Sequence, residues 1–421
     1  MILNVNPDRT LIRAAARSRR YVLISFAAPE APAAEHRKPA NVSLVMDRSG
    51  SMGGGKIELV REAVKKALAM LRSDDRFSLV VYDNQIDMLV ESTPASAEAR
   101  ANADRKLAGI DARGSTDLAG GWLRGCEQIA LHLASDSPGR CLLLTDGLAN
   151  VGITDHDELE RHARELRSRG VTTSTFGVGD DFDEVLLQRM AVAGGGHPYY
   201  IETPVQILDL LTSELGETLE IVAHDATVEV ALPAGATATC LNEYPASQAD
   251  GVLRIDLGSL VSRQEVSLAV MLEFPGGQPG SQLEVQFRLK DSDGMLDAPP
   301  VAWIWTFADH PANDNQPRDR AVDRAVAELY AALARREAVL CNRAGQFDRA
   351  QQVLQATAER IRGYAGEDPV LNALARELMR ELDRHAMPMS PSEQKARWYS
   401  SAHLMRSRDM TGKSKRRNQP M

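Results

Sequence analysis

The stretch SLVMDRSGSMGGGKIELVREA, Ser43–Ala63, decides how the chain is read. An apolar run ends in Asp47, a small polar loop follows, and Ile57, Val60 and Val64 then recur at helical spacing. A buried strand therefore passes through a loop into an amphipathic helix. Two chemistries compete for the loop. Gly50, Gly55 and Lys56 stand at the spacing of a phosphate-binding loop, whereas Asp47, Ser49 and Ser51 spell Asp-x-Ser-x-Ser, a set of hard oxygen donors. The phosphate loop needs Ser or Thr directly after its lysine to hold magnesium. Ile57 occupies that position and offers no ligand.

The metal reading draws on more of the chain. Ser49 and Ser51 alternate with Arg48 and Gly50, so both hydroxyls can face one concave loop, and oxygens of this kind suit a small divalent cation such as Mg2+, with Mn2+ or Ca2+ as alternatives. Further oxygens come from Thr116, in the turn-like DARGSTD, and Asp146, just past the apolar run RCLLLTDG. From Asn41 to about Leu219, short β-rich runs alternate with amphipathic stretches, which predicts a three-layer, mostly parallel, doubly wound α/β domain with helices on both faces. Ligands of such sheets bind at the carboxyl ends of the strands, where Asp47 and Asp146 fall.

Domain organisation follows from changes in pattern. The reading divides the chain into strands at 1–38, the α/β domain at 39–222, a β module at 223–309, a Pro/Asn/Asp-rich linker at 310–318, a helical segment at 319–386 and a basic flexible tail at 387–421. The β module is predicted to be a β-sandwich that the first strands complete, so that the α/β domain is inserted within it. In the tail, Arg406, Arg408, Lys413, Lys415, Arg416 and Arg417 oppose Asp409 alone, which reads as a solvated end.

With 421 residues, 25% charged and 43% hydrophobic, the chain has ordinary globular composition and too much length for a single core. Its net charge of −9 gives no reason to expect a specific nucleic-acid partner. Cys126, Cys141, Cys240 and Cys341 are far apart, without C-x-x-C pairs or nearby histidines, so the expectation is reduced thiols in a cytoplasmic protein. No run is apolar enough for a membrane span.

In Asp47, Ser49, Ser51, Thr116 and Asp146, with their GSTDLAGG and LLLTDG surroundings, the region from about Asn41 to Leu219 resembles the von Willebrand factor A family. That family's metal-ion-dependent adhesion site is D-x-S-x-S, then T, then D. The flanking segments look like the bacterial and inter-α-trypsin-inhibitor-heavy-chain-like members. The resemblance implies a non-enzymatic adaptor that docks a carboxylate of a partner protein on a bound cation. Competing readings are a nucleotide switch, a metal-dependent hydrolase, and a capped helix start at Asp47, Ser49 and Ser51. Asp117 reads as a helix N-terminal acid, His197 as a loop residue, Lys56 as a solvated residue, and Arg48 and Met52 as lining the mouth of the site.

Overall fold

The computed structural model describes residues 1–31, 38–133 and 139–417, in two compact units. One unit is made of residues 1–30 together with 222 onward, and the other is Ala31–Ile221, which lies between those parts in sequence. The first unit opens with strands β1 (Asn4–Pro7), β2 (Leu11–Arg13) and β3 (Ser18–Ala27).

The second unit contains β4 (Asn41–Asp47), α1 (Lys56–Met70), β5 (Arg76–Tyr82), β6 (Ile86–Pro94), α2 (Ala97–Ala108), α3 (Leu118–Ala130), β7 (Gly139–Thr145), α4 (His156–Ser168), β8 (Val171–Val178), α5 (Glu184–Ala193), β9 (Gly195–Ile201) and α6 (Gln206–Leu219). Its six-stranded sheet runs β6-β5-β4-β7-β8-β9, parallel throughout except for the antiparallel edge strand β6. This is the doubly wound order that the alternating pattern predicts. The chain leaves β4 toward β5 on one side while β7 lies on the other, so the loops after β4 and β7 part and leave a crevice.

All seven residues of β4 are buried, because helices cover both faces of the central strands. On one face Val42, Leu44 and Met46 join a core with Ile57, Val60 and Val64 of α1 and Leu211 and Leu215 of α6. On the other face α3 approaches closely through glycines. A Cβ on Gly125 would lie 2.3 Å from Val45 Cγ2, and one on Gly121 would lie 2.5 Å from the Tyr82 ring. Polar atoms under α3 are paired: Trp122 Nε1 donates to Thr173 Oγ1 at 3.0 Å and Ser78 Oγ to Ser43 Oγ at 2.9 Å. The helix ends at Ala130.

The first unit continues with β10 (Ile221–Ala231), β11 (Thr237–Cys240), β12 (Ala246–Ala249), β13 (Val252–Val261), β14 (Glu265–Phe274), β15 (Gln282–Lys290) and β16 (Val301–Ala308). They form a four-stranded sheet, β1-β3-β14-β11, and a six-stranded sheet, β12-β13-β10-β15-β16-β2. Residues Ser18–Ala27 pair antiparallel along the whole of β14. Phe274 of one sheet meets Trp305 of the other with ring centroids 5.2 Å apart.

Two boundaries differ from the sequence reading. The expected linker 310–318 contains α7 (His310–Asn315), capped by Asp309 and held by Arg20, which donates to Asn313 Oδ1 at 2.8 Å. After the helices α8 (Arg320–Arg343), α9 (Phe347–Ala365) and α10 (Pro369–His385), the expected flexible tail instead forms α11 (Pro391–Met405), with Trp398 and Tyr399 buried. Beyond α11, Ser407 Oγ donates to Ser267 O at 2.6 Å, Lys415 O accepts from Glu265 N at 2.8 Å, and Arg416 bridges Gln264. Arg406 and Arg408 are buried. Beyond α11 the charge pattern concealed the anchoring, because it is made by main-chain atoms, Ser407 and buried arginines. Residues 418–421 of the expected tail, like 32–37 near the start, lie outside the described residues.

The close approach of α3 leads to a stability prediction. Gly125→Val should lower unfolding free energy by about 1–3 kcal/mol, the usual cost of overpacking. Urea unfolding followed by circular dichroism measures it, and an unchanged midpoint would mean that α3 has room to withdraw from β4.

Candidate metal centre

Asp47 is the last residue of β4, and Asp146 follows the last residue of the neighbouring parallel strand β7. Both are fully buried. After Asp47 the chain makes a 3-10 turn over Gly50–Met52 and then starts α1. Neither Ser49, ahead of that turn, nor Gly55, ahead of α1, makes a side-chain capping bond. The capped-helix reading of the serines is thereby corrected. Ser49 Oγ instead lies 3.1 Å from Ser51 Oγ, and Ser51 Oγ donates to Asp146 Oδ1 at 2.6 Å.

Thr116 arrives on the loop before α3. A Cβ placed on Gly147 would lie 3.2 Å from Thr116 Oγ1 and 3.8 Å from Ser51 Oγ, so both hydroxyls look onto one small space that a glycine keeps open. Main-chain bonds fix the loop: Gly50 N donates to Gly114 O at 3.2 Å, and Asn150 N donates to Thr116 O at 3.1 Å. Gly114 itself has φ +74°, and a Cβ there would strike Asn84 Oδ1 at 2.3 Å, so glycine is required. Asp117 caps α3, its Oδ1 accepting from Gly120 N at 2.9 Å. Ser51 thus links Ser49, Asp146 and the space shared with the Thr116 hydroxyl, and Asp47 lies beside them at the neighbouring strand end. That donor set, all oxygen, fits a hard divalent cation.

The carboxylates are held by the protein. Asp47 accepts from Ser49 N at 2.7 Å on one oxygen and from Thr145 Oγ1 at 2.7 Å on the other. Burial pushes its carboxyl up from the ordinary 3.8 to about 6, against the pull of the Thr145 and Ser49 hydrogen bonds, and the neighbouring Asp146 adds to the rise. Asp146 Oδ2 accepts from Lys56 Nζ at 2.6 Å, and the same amine donates to Ser51 O at 3.1 Å. Lys56 is therefore a partner of the site, contrary to the solvated role read from sequence.

Arg48 and Met52 also differ from that reading, since both are buried. Arg48 donates to Asp83 at 3.0 Å and Asp87 at 2.5 Å, and Arg113 donates to the same Asp83 oxygen at 2.8 Å. Burial pushes the Asp83 carboxyl up, but Arg113, the Gln85 N–H and Arg48 outweigh it and hold the group below its ordinary value. Arg113 N also donates to Arg48 O at 2.7 Å, so this cluster ties the Asp47 loop to the Thr116 loop. Asp83 directly follows β5, the strand paired with β4, and that position is the signal the sequence holds for it.

A second set of ligand-type atoms lies within 4.8 Å of one another in His197, Glu214 and Glu217. His197 lies in β9, not in a loop; the glycines before it disguised the strand. Glu214 accepts from Arg140 at 3.1 Å, Ser174 at 2.5 Å and Tyr199 at 2.6 Å, and contacts His197 at 3.2 Å. With its oxygens engaged by protein donors, one of them a buried arginine, this cluster is an internal polar network.

Comparison with known proteins bears on the same segment. Residues 41–213 match the family model of the von Willebrand factor type A domain. The Escherichia coli (strain K12) protein YfbK is 32% identical over 198 residues, 47% of this chain and 34% of YfbK. Inter-alpha-trypsin inhibitor heavy chain H4 of Homo sapiens is 31% identical over 202 residues, 47% of this chain and 21% of that protein. The chain thus spans well under two thirds of either relative. A solved von Willebrand factor type A structure from Catenulispora acidiphila superposes with TM-score 0.69 at 18% identity, covering 92% of this chain and 97% of its own, and so shares the fold.

The buried Asp47 makes stability depend on pH. A carboxyl raised on folding is held more tightly protonated in the native state, so its contribution is full below 3.8 and is lost as the pH rises through about 6. In chelator, wild type should therefore lose stability relative to Asp47→Asn between about pH 4 and pH 7, by up to about 3 kcal/mol. Parallel denaturation curves across that range measure the difference; a flat difference would show that Asp47 is not desolvated.

Proposed function

This chain carries a von Willebrand factor type A domain, and from that premise we propose a non-enzymatic, cytoplasmic adaptor that docks an acidic residue of a partner protein at a Mg2+ site. Domains of this type commonly mediate metal-dependent protein–protein interaction. The observation that carries the reading is that the Ser51 and Thr116 hydroxyls share the space over Gly147 while Ser51 also contacts Ser49 and Asp146, with Asp47 at the neighbouring strand end. A magnesium ion held there supplies a charge-dense centre to which a partner carboxylate binds.

The residues divide the work. Ser49, Ser51 and Thr116 present neutral oxygens, while Asp47 and Asp146 stand behind them with their oxygens already engaged by Ser49 N, Thr145, Ser51 and Lys56. Neutral donors in front leave a bound cation more attractive to an incoming anion than direct carboxylate ligands would. The loop after β7 adds an apolar rim. Leu148 and Val151 are 49% and 38% exposed, and Val151 N donates to Thr116 O at 3.3 Å, which ties this loop to the loop that carries Thr116. The rim favours an acid that has an apolar neighbour on the partner. Support for the cytoplasmic assignment comes from Cys126, Cys141, Cys240 and Cys341, all free thiols.

Calorimetric titration and affinity capture test this together. Wild type should bind one equivalent of Mg2+, and Ser49→Ala should bind it at least about 10-fold more weakly. Partners retained by wild type should elute with chelator, be missed by Ser49→Ala, and be weakened by Leu148→Asp with Mg2+ binding unchanged. Capture that survives both chelation and Ser49→Ala would remove the metal from the mechanism.

A further inference from the structure

Lys56 is the first residue of α1, yet its amine reaches back across the strand ends. Nζ lies 2.6 Å from Asp146 Oδ2 and 3.1 Å from Ser51 O, and a Cβ on Gly179, just past β8, would come within 3.8 Å of it. The side chain is 25% exposed while that of Asp146 has no exposure. The donors to the two buried carboxylates are otherwise uncharged: Ser49 N and Thr145 Oγ1 on Asp47, and Ser51 Oγ on Asp146. Arg48, next to Asp47 in sequence, is turned to Asp83 and Asp87. Among the described residues, Lys56 is the cationic donor to this pair.

We infer that Lys56 is a tethered cation: it balances Asp146 when no divalent ion is bound, and it lowers the affinity with which a divalent ion is held. The inference rests on the metal-site reading for its second half only. Two effects point the same way. A buried carboxylate stripped of its partner is strongly unfavourable, so without the amine the metal-free domain is strained and gains more from a cation. The fixed positive charge also repels an ion arriving at the same carboxylate. A lysine on a flexible stem suits this role better than a rigid guanidinium, because it can withdraw toward solvent through its exposed side.

The test uses the full chain as wild type, Lys56→Met, Lys56→Arg and the double variant Lys56→Met/Asp146→Asn. Thermal unfolding is measured in chelator and in saturating Mg2+, and Mg2+ affinity by calorimetry. Lys56→Met should melt several degrees lower than wild type in chelator, with the gap closing in Mg2+, and should bind Mg2+ about 10-fold more tightly. Lys56→Arg should stay near wild type in chelator, and the double variant should regain the lost stability. Equal melting of wild type and Lys56→Met in chelator would overturn the charge-balance role. Mg2+ binding by Lys56→Met that is unchanged or weaker would overturn the affinity role and leave Lys56 as a strut for Asp146. If Lys56→Met does not fold, recovery in the double variant supports the inference and failure to recover overturns it. Absence of Mg2+ binding by every variant would overturn the metal-site reading and the affinity half with it, while the chelator series still decides the charge-balance half.

Discussion

Two carboxylates without solvent exposure, Asp47 and Asp146, stand at the ends of adjacent parallel strands, and much of the α/β unit is arranged around keeping them there. An ionised carboxylate taken out of water is unfavourable by many kcal/mol unless its oxygens are matched. The chain matches them with a main-chain N–H, a threonine, a serine and a lysine drawn from the β4 loop, β7 and α1. The loops that bring those donors are in turn fixed by Arg48, Arg113, Asp83 and Asp87. This second cluster is a network of ion pairs between two loops, whereas the first leaves the Ser51 and Thr116 hydroxyls facing a common space.

Much of this was legible in the residues. The central strands announce themselves because complete burial on both faces demands unbroken apolar runs such as SLVM and CLLL. The five oxygen-bearing residues are recognisable because parallel topology places the ends of β4 and β7 side by side, and only short-range loop geometry remains to be specified. Lys56 was not legible in the same way. A lysine at a helix start is ordinarily solvated, and its pairing with Asp146 depends on how the 3-10 turn over Gly50–Met52 aims the first turn of α1.

The β-rich and helical unit was harder to read at its margins for a different reason. Pattern reading weighs apolar periodicity, but the segments it set aside are anchored by polar means: α7 through Asp309, Asn313 and Arg20, and the residues after α11 through Ser407, Lys415 and Arg416 on the end of β14. Arg406 and Arg408, counted as solvent-facing charge, are buried, with Arg406 Cζ 5.4 Å from the Tyr244 ring centroid.

The pairing of β3 with β14 has a consequence for biosynthesis. Ala27 is matched to Glu265, so the four-stranded sheet cannot close until the ribosome has released the residues of β14. The strands of the intervening α/β unit all find their partners within residues 41–201. That unit can complete its core while the earlier strands wait, exposed, beside the exit tunnel. A discontinuous unit thus inherits the folding delay of whatever it encloses. The interval in which β3 presents an unpaired edge to other chains is therefore set by the length of chain that separates it from β14.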